Sequence, residues 1–112
     1  MPLLNIHTNI TLSDPKGFAL QASAHIAQLL GKPESYVMVR IADQQNLVFA
    51  GTDAPCAYLE LKSLGLPESQ TSAFSSSLCD FLQSRLKIEA DRIYIEFASP
   101  ERHMWGWNSA TF

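Results

Sequence analysis

The second residue of this chain is a proline, and a small residue after an initiator methionine generally permits removal of that methionine. The mature chain would then open on Pro2, a secondary amine at the head of a strand. Such an amine, with a reference pKa of about 8, becomes a general base wherever its surroundings disfavour the ammonium form. Pro2 alone does not specify that chemistry, because proline makes up about 5% of all residues. Other arrangements are absent: the chain has no GxSxG elbow, GxGxxG loop, P-loop or HExxH. His7, His25 and His103 are too scattered to form a metal site, and nothing singles out one of the many serines as a nucleophile. His25 falls beside the apolar stripe of a helix and reads as a packing or surface residue. Cys56 and Cys79 lie far apart in hydrophobic contexts and read as reduced core residues, with a disulfide between them the lesser alternative.

The elements that must position these residues follow from periodicity. Residues 3–7 read as a strand. Ser13-Asp14-Pro15 supplies a cap and an N-terminal proline for a helix carrying Phe18, Ala22, Ile26 and Leu29 at helical spacing, and Gly31 closes it. Tyr36 to Ile41 reads as a strand with Val37, Val39 and Ile41 inward, and Leu47-Val48-Phe49 as a further short strand. The order then repeats. Ala57 to Lys62 is a strand, Leu66-Pro67-Glu68 opens a helix with Phe74, Leu78, Phe81, Leu82 and Leu86 as its buried stripe, and Arg92 to Phe97 is a strand. A shift of about 56 residues superposes the two halves as strand–helix–strand units.

Two such units predict an α+β fold: a duplicated β-α-β unit in a four-stranded mixed sheet, with two helices on one face and short extra strands. The other face would carry Tyr36, Met38, Arg40, Tyr58, Glu60, Lys62, Arg92, Tyr94 and Glu96. That mixture suits a subunit interface or a wet channel between subunits, the alternative being a merely solvated face.

Bulk properties limit the function classes. The 112 residues fit one domain spanning 1–112, and 46% hydrophobic against 17% charged residues is enough to build a core. The net charge is −3 with the basic residues spread along the chain, which argues against nucleic acid. No charged leader precedes an apolar stretch and no apolar run is long enough to span a membrane, so a cytoplasmic protein is expected, with leaderless secretion open. The Asn9-Ile10-Thr11 sequon reads as chance.

Met1-Pro2, Thr8-Asn9-Ile10, Gly31-Lys32-Pro33, Pro55-Cys56-Ala57, Ser63-Leu64-Gly65, Asp91-Arg92-Ile93-Tyr94-Ile95 and Gly106-Trp107-Asn108-Ser109-Ala110-Thr111-Phe112 stand in the order of one known family. Over its whole length the chain resembles the tautomerases related to macrophage migration inhibitory factor and D-dopachrome tautomerase. The resemblance implies a homotrimer with sites between subunits, and a keto–enol tautomerase of phenylpyruvate-like or dopachrome-like acids that needs no cofactor or metal. Pro2 would be the base, Lys32 the cation for the substrate carboxylate, and Leu64 a pocket wall whose backbone also contacts substrate. Tyr94 and Glu96 would come from a neighbouring subunit, and Trp105, Trp107 and Phe112 would lie near the mouth. A pocket of Leu64, Trp105 and Phe112 would hold the amine neutral, with the Lys32 charge acting in the same sense.

Each role has a plainer counterpart. Lys32 could offset a helix dipole, the C-terminal aromatics could only pack, and Tyr94 could be an interface residue without a substrate role. The chain also departs from the family. Cys56-Ala57-Tyr58-Leu59 replaces a CxxC, so thiol–disulfide activity is not expected, and Glu96 stands where the family has a substrate-binding Asn. A cytokine-like or binding protein with vestigial catalysis therefore stays open. So does a hydratase-type dehalogenase, which would need extra arginines beside the proline.

Overall fold

The computed structural model describes all residues, Met1–Phe112. Strand β1 (Leu3–Thr8) leads into helix α1 (Pro15–Leu30) and strand β2 (Met38–Ala42); β3 (Ala57–Lys62), α2 (Thr71–Leu86) and β4 (Ile93–Ala98) repeat the order. The strands form one sheet in the order β2-β1-β3-β4. β1 pairs parallel with β2 and β3 parallel with β4, as helical crossovers require, while β1 and β3 meet antiparallel at the centre. A separate hairpin joins β5 (Gly106–Trp107) to β6 (Ala110–Thr111).

Local chemistry sets the helix ends. The Asp14 carboxylate accepts from Gly17 N at 3.0 Å and Pro15 takes the first turn, where its missing N–H costs nothing. Gly31 closes α1 at φ +63°, and Lys32 N donates to Ala27 O at 3.0 Å as the second bond of the cap. β1 and β3 alternate strictly, placing Leu4, Ile6, Leu59 and Leu61 at no more than 1% exposure beneath the helices. Phe18, Ala22 and Ile26 of α1 and Phe74, Leu78, Phe81 and Leu82 of α2 close over them. Each fully buried side chain of this size contributes about 1.5–3 kcal/mol, so the helix-covered face holds the fold together.

Four expectations are corrected. Leu47-Val48-Phe49 is not a strand: only Phe49 and Thr52 bridge, around the Ala50-Gly51 turn. Carbonyls in residues 47–55 bond instead to Asn9 and Arg92, side chains remote in sequence. Tyr36 belongs to a 3-10 turn (Glu34–Tyr36), so β2 starts at Met38, anchored by Met38 N to Pro2 O at 3.0 Å. Arg92 likewise ends a 3-10 turn (Ala90–Arg92) ahead of β4. The second helix begins at Thr71, behind a 3-10 turn (Glu68–Gln70).

The uncovered face carries Met38, Arg40, Tyr94 and Glu96 in the open, with His7, Tyr58, Glu60 and Lys62 half-buried between them. Cys56 is buried, Cys79 is half-buried, and both are free thiols. No helix is long and apolar enough to cross a membrane.

Candidate functional site

Pro2 sits at the head of the central strand β1 and is fully buried beneath Met1. Around it opens a cleft of about 350 Å³ whose lining includes Met1, Pro2, Tyr36, Val37, Met38, Trp105, Trp107 and Phe112. The terminal hairpin builds the far wall. Its two-residue turn, Asn108-Ser109, has positive φ at both positions, matching the twist of the flanking strands. Phe112 N donates to Trp105 O at 3.2 Å, and the Phe112 ring stacks on Trp107 at 5.6 Å and 9°. Tyr36 meets Trp107 edge-on at 5.6 Å. The result is an aromatic slot against the N-terminus, of a size suited to one small planar ligand.

The electrostatics at the amine follow from burial and charge. Burial first, then the charges of Lys32 and Arg102, push the pKa of the Met1 amine, the amino terminus of the full chain, below its usual value. An amine here favours its neutral, proton-accepting form. Lys32 lies in a neighbouring recess of about 240 Å³ with Ser63, Gly65 and Phe74, and its ammonium donates to Leu64 O at 3.3 Å. Neither Lys32 nor Arg102 pairs with a carboxylate, so both cations are free for an anionic ligand.

The single chain therefore gathers Pro2, Trp105 and Phe112 into one cleft and places the Lys32 charge close enough to act on the Met1 amine at its edge. The Leu64 side chain is buried at 5% exposure and is not part of the cleft lining of the single chain, while its carbonyl accepts from the Lys32 ammonium. Tyr94 and Glu96 lie elsewhere. Pairing of Leu3 with Lys62, and of Lys62 with Ala98, puts Pro2 one residue beyond the C-terminal end of β4, and Tyr94 stands five residues back. At about 3.3 Å per residue that is about 17 Å along the strand, and two strand spacings of about 4.8 Å separate β1 from β4. Neither residue reaches the Pro2 of its own chain.

On the uncovered face Glu96 accepts the Tyr58 hydroxyl at 2.7 Å, a bond that, as the main cause, drives the phenol pKa up to about 12. The cations that could have neutralised Glu96 are engaged or distant. Lys62 pairs with Glu60 at 3.6 Å, Arg92 is spent on backbone carbonyls, and Arg40 lies on β2 at the opposite edge of the sheet. His7 stacks on Tyr58 at 5.6 Å with Nε2 3.5 Å from Glu60.

Two residues of this region escape the sequence reading. Alternation places Tyr36 on the open sheet face, and only the 3-10 turn after Pro33 reveals its place in the cleft. Arg102 gave no signal in sequence, since its charge reaches the amine through the fold alone. His25, by contrast, packs as expected, with its ring on Phe81 at 4.6 Å and Nε2 3.0 Å from Ser77 Oγ. No three His, Cys, Asp or Glu side chains come together as metal ligands.

Comparison with known proteins places this geometry. The family model for macrophage migration inhibitory factor matches residues 1–112. The macrophage migration inhibitory factor of Mus musculus is 37% identical over 114 residues, covering 100% of this chain and 99% of its own length. The homologue from Trichinella spiralis is 38% identical with 100% of both covered. Among solved structures, the homologue from Prochlorococcus marinus superposes with a TM-score of 0.92 at 38% identity over 98% of each chain. The Trichinella spiralis structure does so at 0.93 and 37%, covering 98% of this chain and 99% of its own. The chain belongs to the macrophage migration inhibitory factor family.

Proposed function

We propose that the protein is a keto–enol tautomerase of aromatic 2-keto acids, with the amine of Pro2, freed by loss of Met1, as the general base. The observation that carries this reading is the aromatic cleft around Pro2, in which burial and two cations already favour the neutral form of the Met1 amine and would act in the same sense on the adjacent Pro2 nitrogen once Met1 is lost. The substrate carboxylate binds the ammonium of Lys32, assisted by the Arg102 charge, and its ring lies between Tyr36, Trp105, Trp107 and Phe112. The Pro2 nitrogen takes a proton from the carbon beside the ketone. The C–H electrons become the C=C bond of the enol, and the Pro2 ammonium returns its proton to the ketone oxygen, which leaves the amine neutral again. The step is reversible and consumes nothing. Proximity of amine and carbon, fixed by the carboxylate contact at one end and the ring at the other, supplies the catalysis. Leu64 serves through its carbonyl, which orients Lys32.

The working form is a homotrimer in which the uncovered sheet face meets a neighbouring copy. Tyr94 and Glu96, too far from their own Pro2, complete the site of that neighbour. Open Tyr94 and Met38, 67% and 66% exposed, support an interface rather than a solvated face.

The test combines intact mass, sedimentation and a phenylpyruvate keto–enol assay. A protein lacking Met1 should be trimeric and active, and Pro2→Gly should lose about 10²-fold or more in kcat with the trimer kept. Retained Met1 turns the nitrogen into an amide with no basic lone pair and should be inactive. Full activity in protein that keeps Met1 removes Pro2 as the base, and a stable monomer at micromolar concentration removes the shared site. A free Pro2 with no turnover would favour a binding protein of the same fold.

A further inference from the structure

Residues 43–56 link the two halves of the fold and contain no regular strand, yet they are densely tied down. Arg92 spends its guanidinium on four backbone carbonyls. Nε donates to Pro55 O at 2.9 Å, Nη1 to Phe49 O at 3.0 Å, and Nη2 to Ala54 O at 3.0 Å and Thr52 O at 3.3 Å. The amide of Asn9 holds the same segment from the other side, at Leu47, Asp53 and Ala54. Within the clamp, Phe49 and Thr52 exchange backbone bonds at 3.0 and 3.1 Å around Ala50-Gly51, both at positive φ. Ala50 at φ +54° is a strained residue, retained because the surrounding bonds over-determine the turn.

The turn delivers one side chain to a defined place. The half-buried Phe49 ring meets Tyr94 edge-on, with centroids 4.8 Å apart and planes at 64°, while the Arg92 guanidinium lies 5.3 Å above the same ring. The Tyr94 hydroxyl has no hydrogen-bond partner in its own chain, and the residue is 67% exposed. A ring this open would sample its rotamers freely without the Phe49 edge against it.

We infer that Arg92 and Phe49 are positioning residues: Arg92 fixes the 49–55 turn so that Phe49 holds the Tyr94 ring in the orientation it presents to the neighbouring subunit's site. The inference rests on the reading that Tyr94 completes that site, and adds that its orientation is set within its own chain. Ordering the ring before the substrate arrives removes an entropy cost from binding and leaves proton transfer untouched, so the effect falls on KM. A lysine at 92 keeps the charge but not the fork that reaches several carbonyls at once.

The experiment uses the full-length protein and two variants. Phe49→Ala removes the ring and leaves the clamp; Arg92→Lys leaves the ring and loosens the clamp. Each should raise KM for phenylpyruvate by about three- to tenfold with kcat within about twofold. In a Tyr94→Ala background Phe49→Ala should cause no further rise, because Phe49 acts through Tyr94. A readout independent of turnover is the Tyr94 ring resonances in selectively labelled protein. They should carry a ring-current shift from Phe49 that is lost in Phe49→Ala and reduced in Arg92→Lys. An additive effect of Phe49→Ala in the Tyr94→Ala background, or an unmoved Tyr94 resonance in Arg92→Lys, overturns the inference. An inactive parent protein, or full activity in Pro2→Gly, would instead overturn the proposed reaction while the resonance test still decides the clamp.

Discussion

Replacing Glu96 by glutamine should improve the binding of an anionic keto acid, and the structure limits by how much. The carboxylate accepts one hydrogen bond, from the neutral Tyr58 hydroxyl at 2.7 Å, and has no cation paired with it. In the proposed trimer its full negative charge therefore faces an anionic substrate. Taking ~7 Å as a working separation between the two carboxylates, Coulomb repulsion is ~0.6 kcal/mol in bulk water and ~2.4 kcal/mol at an effective dielectric of 20. The interface that would bring Glu96 to the site also removes water from it, so the lower figure is a minimum, and Glu96→Gln should lower KM for phenylpyruvate by about threefold or more. Glutamine still offers a carbonyl oxygen to Tyr58, so the local fold has no reason to move. The phenol should report the change, because the Glu96 bond is the main reason its pKa stands at about 12. Absorbance titration of the variant should find it displaced toward the ordinary tyrosine value.

Salt separates charge from shape in this experiment. At about 1 M ionic strength the screening length falls to about 3 Å, and a repulsion across about 7 Å largely disappears. The KM ratio between parent and variant should then approach one. A ratio that persists unchanged at high salt would refute the electrostatic argument and leave a steric one. A KM that does not fall even at low salt would mean that Glu96 lies outside the working site.

Lys32→Gln should raise KM for phenylpyruvate by about tenfold or more, the scale of a lost charge-assisted hydrogen bond. It should also move the pH profile in a defined direction. The Lys32 charge is one of the causes, after burial, that lower the pKa of the Met1 amine, and it would act in the same sense on a freed Pro2 amine one residue on. Its removal raises that pKa, and because the base works deprotonated, the acidic limb of kcat/KM should shift to higher pH. A shift to lower pH would contradict the assignment. Ala50→Gly should stabilise the fold by ~0.5–1 kcal/mol in urea denaturation, since glycine relieves the φ of +54° at some cost in unfolded-state entropy. A loss of stability there would mean that the Ala50 methyl makes a contact worth more than the strain.

The elements governed by periodicity and capping were legible in the sequence; those governed by remote side chains were not. Asp14, Pro15 and Gly31 announce α1, and the period-two runs in β1 and β3 fix which face is buried. Residues 47–49 look like a strand by composition, but their fate depends on Asn9 and Arg92, about 40 residues away on either side, which no local pattern reveals. The same limit applies to the site. Pro2, Trp105 and Phe112 could be named from the chain, whereas the Leu64 carbonyl as the rest for Lys32, Tyr36 in the aromatic wall, and Arg102 beside the amine are products of folding.

The charges at the two ends of the sheet make one further argument about the proposed trimer. Two cations, Lys32 and Arg102, act on the amino terminus at Met1, and no carboxylate pairs with either. On β4, Glu96 is a carboxylate with no cation. If a neighbour's Glu96 faces the Pro2 cleft, the completed site is positive at the amine and negative opposite. A keto acid can then enter in only one sense, carboxylate toward Lys32 and ring outward, which brings the carbon beside the ketone to Pro2. The negative end costs some affinity for every anion but penalises the reversed pose most, because that pose drives carboxylate against carboxylate. Glu96 thereby trades binding strength for orientation. Glu96→Gln should thus lower KM for phenylpyruvate while weakening the preference for monoanionic over dianionic keto acids, a pairing that simple loss of a contact would not produce.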